Sequence, residues 1–162
     1  RKTDGLYFNF NGPENTTSAK LKKLLSKGLV KLLSLKKEDV AFGEYIDLLG
    51  IHPLARYKSV KFLSGGNQQK VIIARWLFTE AELFILDEPT QGIDVGAKLE
   101  VCKVIKQLTK AGKSVLLISS DYPELLAMSD TVGILCHGKI VKIAKADTLS
   151  EISILEHSME KN

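Results

Sequence analysis

The 162-residue chain is 44% hydrophobic and 26% charged, an ordinary globular composition with enough apolar material for one sizeable core. Its net charge of +4 permits an anionic ligand without demanding one. No apolar run approaches the ~20 residues that span a bilayer, and no signal peptide stands at this N-terminus. A cytosolic protein is expected, with any membrane association made through a partner. The chain begins at Arg1 rather than Met, as a fragment would. Cys102 and Cys136 lie far apart in apolar stretches and read as small buried hydrophobes of a reducing compartment.

Arg1 to about Lys61 is Lys-rich, with one short strand at Leu6-Tyr7-Phe8. Asn11-Gly12-Pro13-Glu14-Asn15 reads as a turn. Ser18 is placed to cap a helix over Lys20–Leu35, apolar on the side of Leu21, Leu24, Leu25, Leu29, Leu32 and Leu33, and basic on the side of Lys22, Lys23, Lys27 and Lys31. A second helix runs from about Glu38 to Leu49 and stops at Gly50. Residues 1–61 therefore form a helical subdomain segment, and residues 62–162 a core segment of alternating helices and strands.

In the second segment, Gln68–Thr79 is helical, with Trp76 in its core stretch. Leu83-Phe84-Ile85-Leu86 is a continuous apolar run, as expected of a strand buried on both faces. Gly96–Lys110 is helical, with Val95, Leu99, Cys102, Ile105 and Leu108 at steps of three and four, and stops at Gly112. Ser114–Ile118 is the next buried strand, and Pro123–Met128 a short helix opened by Asp121. Val132–Cys136 and Lys139–Ile143 flank His137-Gly138 as a hairpin at the sheet edge. Thr148 and Glu151 form a capping box for a last helix. The alternation implies an α/β domain with a largely parallel sheet.

Two places carry chemistry. In Leu63-Ser64-Gly65-Gly66-Asn67-Gln68-Gln69-Lys70, two glycines directly before a helix leave backbone N–H groups bare at its positive end. Ser64 adds a hydroxyl donor, and Gly65 and Gly66 let the backbone approach a phosphate. Taken alone, such a Ser-Gly-Gly is more often a simple turn. In Leu83-Phe84-Ile85-Leu86-Asp87-Glu88-Pro89-Thr90, an apolar strand ends in two acids, at the end of a strand where open α/β sheets bind ligands. Burying both carboxylates is costly without a cation or a proton. Mg²⁺ held by Asp87 through its hydration shell, and water oriented by Glu88, would account for them. A solvated polar turn is the equal alternative for this stretch alone.

Together the two places are specific. Leu-Ser-Gly-Gly-x-Gln-Gln, then a strand ending in Asp-Glu-Pro-Thr, then Gly92-Ile93-Asp94, resembles the signature of ABC ATPases. Asn67 after the glycines, the run Gln91–Lys98 and the segment Arg1–Leu6 are similar to the second nucleotide-binding domain of tandem ATPase subunits in ribose, galactose and xylose importers. The resemblance covers nearly the whole chain, Thr17–Arg56 being its least specific part. It implies a partial P-loop NTPase fold with an N-terminal helical subdomain and a C-terminal antiparallel hairpin. It implies a signature loop at Leu63, Ser64, Gly65, Gly66, Asn67 and Gln68 that completes another domain's ATP site. Asp87 and Glu88 become the Walker B acids, Asp87 on the Mg²⁺ side, and Gly92, Ile93 and Asp94 the D-loop. The switch position falls at Ser120, where most relatives carry histidine. Serine is no charged donor to a γ-phosphate, and this departure, itself similar to second domains of sugar importers, puts hydrolysis at this chain's own acids in doubt.

The implied partners are a second nucleotide-binding domain, transmembrane permease subunits and, indirectly, a periplasmic or lipid-anchored sugar-binding protein, with no nucleic acid. The implied location is the cytoplasmic face of the membrane. No phosphate loop of the form Gly-x-x-x-x-Gly-Lys-Ser/Thr is present: in Gly112-Lys113-Ser114 the first-glycine position is Gln107, and a helix precedes rather than follows. The isolated chain is thus expected to be inactive. A non-transport soluble ABC ATPase and a truncated non-catalytic fragment are the alternatives. His52, His137 and His157 lack metal-ligand spacing and read as solvated or turn histidines.

Overall fold

The computed structural model describes residues 5–25 and 32–159. Helix α1 spans Gly12–Thr17. The segment expected to be a turn is thus a helix start: Asn11 and Glu14 form a capping box, and Pro13 sits in the first turn. The expected helix Lys20–Leu35 does not form as one element. Ser18–Leu24 is 3₁₀-like with a non-helical Lys20 (φ −146°, ψ 50°). Leu25 and Leu33 meet in an isolated antiparallel bridge, whereas eight residues of helix would hold them ~12 Å apart. Side-chain tethers favour the break: Lys20 Nζ donates to Thr79 O at 2.8 Å and Lys23 Nζ to Glu80 at 2.6 Å. That Lys23 bond holds the Glu80 carboxyl below its ordinary pKa. Lys27 and Lys31 lie outside the described residues.

Helix α2 spans Leu35–Leu49, capped by Ser34 and closed by a left-handed Gly50 (φ 57°). Helix α3 spans Gly65–Leu77. Strand β1 (Leu83–Asp87), helix α4 (Val95–Lys110) and strand β2 (Ser114–Ile118) form a βαβ unit. Ser114 N donates to Glu82 O and Glu88 N to Ile118 O, so β1 and β2 run parallel. Gly112 (φ 81°) turns the chain between α4 and β2. Helix α5 spans Tyr122–Met128 and is capped by Asp121. Strands β3 (Thr131–Cys136) and β4 (Lys139–Lys145) make the hairpin, with positive φ at His137 and Gly138 in its turn. Helix α6 spans Glu151–Ser158. Its capping box uses Ser150 and Ser153, not Thr148 and Glu151, because Thr148 Oγ1 donates backward to Lys145 O.

Three further expectations change. Leu83, Ile85, Leu116 and Ile118 are exposed and only Phe84 of the two strands is fully buried, so neither strand is buried on both faces. Alternate side chains point to opposite faces of a sheet, and among the described residues no layer covers one of those faces. The hairpin is a sheet of its own rather than an edge of the parallel pair. Trp76 is half-exposed and stacks against the Arg75 guanidinium instead of entering the core.

The chain divides into two compact units. One comprises the described residues up to Phe84 together with Pro89–Val115, the other Ile85–Glu88 with the described residues from Leu116. In the first, α1 packs against α2 and α3, and α3 against α4, around Phe42, Leu49, Val71, Ala74, Val101 and Val104. In the second, Val132, Ile134, Ala146 and Ile154 form the core under Tyr122, Leu126 and Leu149.

Candidate functional site

In the first unit the site is built at the start of α3. Ser64 is extended (φ −60°, ψ 157°) and caps the helix, so Gly65 is its first residue. Ser64 Oγ accepts from Asn67 Nδ2 at 3.0 Å and, more weakly, from Asn67 N at 3.4 Å. The helix begins three residues before Gln68 because a serine N-cap satisfies an otherwise orphaned N–H. Gln68 Nε2 turns back to Val60 O and Leu63 O and fastens the approach to the loop.

Gly66 is buried between the starts of two helices while still lining the cleft they form. A Cβ there would stand 3.0 Å from Ala97 Cβ and 3.5 Å from Asp94 Oδ2. The glycine thus admits the start of α4. Asp94 caps α4, accepting from Ala97 N at 3.0 Å. That bond chiefly holds the Asp94 carboxyl below the usual carboxylate range, against a smaller opposing desolvation. Gly92, in the turn before it, has φ 68°, and Ile93 between them is half-buried. The starts of α3 and α4 enclose a cleft of about 230 Å³ lined by Ser64, Gly66, Asn67, Asp94 and Gly96, with Lys70 and Glu100 below.

Sequence reasoning assigned no role to Lys70. Its side chain is buried, its Nζ donates to Gly50 O at 2.9 Å and it pairs with Glu100. The available signal was its place in the i, i+3, i+4, i+7 series with Ile73, Ala74 and Leu77, the buried side of α3. The bond from His52 N to Asn67 Oδ1 (2.7 Å) left no sequence trace at all.

In the second unit, β1 delivers Asp87 and Glu88. Asp87 is exposed and Glu88 half-buried, so the expected cost of burying two carboxylates does not arise: water reaches this strand end. Glu88 has φ 45°, an uncommon conformation for a side-chain-bearing residue and one found where geometry is imposed. Its N–H continues the ladder to Ile118 O, and its Oε1 accepts from Ser120 N at 2.8 Å. The position that resembles the switch thus reaches Glu88 through its main chain. Ser119 Oγ donates to Glu124 Oε2 at 2.9 Å and accepts from Asp121 N, and Asp121 caps Glu124 N. Buried Glu124 is a second residue that sequence reasoning missed.

The structure therefore brings Ser64, Gly66 and Asn67 together with Asp94, and separately Glu88 with Ser120. Among the described residues no cluster of three His, Cys, Asp or Glu side chains could hold a metal ion. An ion that keeps most of its waters and binds nucleotide phosphates requires only one or two protein carboxylates, and the solvated Asp87 fits that role.

The family model described as ABC transporter matches residues 5–91 of this chain. The chain belongs to the ABC transporter family. It is 38% identical over 158 residues to the ribose import ATP-binding protein RbsA of Shouchella clausii, covering 98% of this chain and 31% of that protein. It is 43% identical over 155 residues to RbsA of Bacillus cereus strain ZK / E33L, covering 96% and 31%. It is 39% identical over 156 residues to the galactose/methyl galactoside import ATP-binding protein MglA of Haemophilus influenzae, covering 96% and 30%. The chain thus spans just under a third of these family members. Among solved structures, a dimeric post-hydrolysis state of the ATP-binding cassette MJ0796 bound to ADP and Pi matches with TM-score 0.74 at 22% identity, over 87% of this chain and 59% of that one. This likeness establishes the ABC cassette fold. No helix among the described residues is long and apolar enough to cross a membrane.

Proposed function

We propose that this chain is the C-terminal part of the second nucleotide-binding domain of an ATP-hydrolysing subunit that energises import of a simple sugar. The carrying observation is its identity of 38% and 43% to ribose import ATP-binding proteins along 98% and 96% of its length. Residues 1–61 are the helical segment that faces the transmembrane permease subunits, and residues 62–162 the catalytic-core segment. Leu63–Gln68 are the signature loop: Ser64 and the N–H groups at the start of α3 complete an ATP site on a second nucleotide-binding domain, where they stabilise charge on the γ-phosphate. Gly92, Ile93 and Asp94 are the D-loop. Asp87 holds the hydration shell of Mg²⁺, which supplies charge neutralisation to the phosphates when bound. Glu88 orients the attacking water, and the Ser120 N–H fixes the direction of its carboxylate. The subunit works at the cytoplasmic face of the membrane, and a periplasmic or lipid-anchored binding protein delivers the sugar to the permease.

Purified alone, the chain is expected to show no Mg²⁺-dependent ATP turnover, because no residue run supplies the backbone cradle and lysine for the β- and γ-phosphates. Turnover by a clean preparation that Glu88→Gln abolishes would refute this. The test of the whole reading is ATP-driven sugar uptake by the complete subunit reconstituted with permease: Ser64→Ala is expected to lower it by about 10², and unchanged uptake would sink the reading.

The two composite ATP sites are unequal. Ser120 places only a short exposed hydroxyl where an imidazole would donate as a cation. Glu88→Gln in the complete subunit is therefore expected to weaken transport less than the matching change in the first domain. Equal losses, measured as initial uptake rates, would count against unequal sites.

A further inference from the structure

We infer that Asn67 is the positioning residue of the signature loop, setting the Ser64 hydroxyl as a pure donor toward the bound phosphate. This rests on the reading of Leu63–Gln68 as the loop that completes a phosphate site.

The two ends of the Asn67 amide differ chemically: the oxygen only accepts and the nitrogen only donates. His52 N, a backbone donor, lies 2.7 Å from Oδ1. A donor must face the oxygen, so the amide has one orientation and its Nδ2 necessarily faces Ser64 Oγ, at 3.0 Å. His52 is itself anchored, because its Nδ1 accepts from Leu54 N and opens the turn Pro53–Arg56. The direction of the amide is therefore inherited from backbone outside the loop.

A serine hydroxyl has one proton and two lone pairs. The lone pairs of Ser64 are directed at Asn67 Nδ2 and, with a longer bond, Asn67 N. Its remaining capacity is to donate, and no hydrogen bond from this hydroxyl to another described residue is present. Ser64 is exposed at the mouth of the cleft between the α3 and α4 starts. A group presented there to Ser64 must be an acceptor, as a phosphate oxygen is. With the proton direction set before the ligand arrives, no reorganisation is required as charge develops on the phosphoryl group.

The experiment is a double-mutant cycle in the complete ATP-binding subunit with its permease, reading kcat and ATP affinity for Ser64→Ala, Asn67→Ala and the pair. Asn67→Ala is expected to lower kcat about ten-fold with ATP affinity unchanged. In the Ser64→Ala background the same change is expected to have little effect, since no hydroxyl remains to be oriented. An equal loss in both backgrounds, or a loss of ATP affinity instead of kcat, overturns the positioning role. If Ser64→Ala itself leaves kcat unchanged, the phosphate-site reading fails. A harmful Ser64→Ala with a harmless Asn67→Ala rejects the positioning role alone. Asn67→Asp guards against misfolding: its carboxylate still accepts from His52 N but turns the Ser64 proton inward. It is expected to lower kcat at least as much as Asn67→Ala, and wild-type kcat in a folded Asn67→Asp would overturn the inference.

Discussion

On the proposed function, replacing Gly66 by aspartate is expected to reduce turnover of the complete ATP-binding subunit by about two orders of magnitude or more, with ATP still binding the phosphate loop proposed for the first domain. The position is the second residue of α3, where the helix dipole tolerates an acid, so the helix itself should survive. The damage comes from direction. A Cβ at Gly66 is aimed at Ala97 Cβ, 3.0 Å away, and Asp94 Oδ2, 3.5 Å away. The new carboxylate therefore joins that of Asp94 in the small cleft beside Ser64 and adds negative charge where phosphate oxygens are proposed to approach. Gly66→Ala separates the two causes, since it adds the same Cβ without the charge. The neighbouring contact must then yield by a few tenths of an ångström, and a loss of less than ten-fold is expected. Paired measurements of ATP affinity, turnover and melting temperature decide the matter. Wild-type turnover in Gly66→Asp would remove the signature-loop assignment. Equal losses in both variants would make Gly66 a packing glycine rather than a charge-excluding one.

Much of this was legible from local chemistry. Gly50, Asp121 and the His137-Gly138 turn were readable because each acts within a few residues of chain. The roles proposed for the loop Leu63–Gln68 and for the acids at the end of β1 rest on residue type and spacing. The failures came where two local rules competed or where tertiary contacts decided. Asn-Gly-Pro-Glu serves a turn and a capped helix equally well, and the Asn11–Glu14 capping box chose the helix. The leucine series of Lys20–Leu35 fits a helical stripe, but Thr79 and Glu80 hold two of its lysines and Leu33 pairs with Leu25. The apolar run Leu83–Leu86 suggests a strand buried on both faces and Ser114–Ile118 a buried one, yet both are partly exposed, because hydrophobicity reports a tendency and not what covers it. The orientation of Asn67 depends on His52 N, fifteen positions away, and no spacing rule connects the two.

The largest effect on stability is expected at Phe42. It is wholly buried in α2, and its ring lies so close over the start of α1 that a Cβ on Gly12 would stand 2.3 Å from Phe42 Cζ and 2.8 Å from Ala55 O. Phe42→Ala removes the ring and leaves a cavity that the fixed backbones of α1 and α2 can only partly close, at a cost of about 3–5 kcal/mol. Gly12→Ala does the opposite, forcing a methyl into filled space, at about 1–3 kcal/mol. The pair is informative because the new methyl can occupy room left by the lost ring. The double variant is therefore expected to be less destabilised than the sum of the two, with incomplete recovery because Ala55 O still opposes the methyl. Denaturant midpoints of the four proteins measure this. A Phe42→Ala cost below about 1 kcal/mol, or strict additivity, would contradict the packing. The effect should also reach the candidate site. α2 ends at Gly50, whose carbonyl accepts from Lys70, and two residues later His52 N holds the Asn67 amide. Loosening α2 releases both supports of the α3 start together, so in the complete subunit of the proposed function Phe42→Ala is expected to lose turnover at temperatures well below its global unfolding, while Gly12→Ala/Phe42→Ala regains part of it.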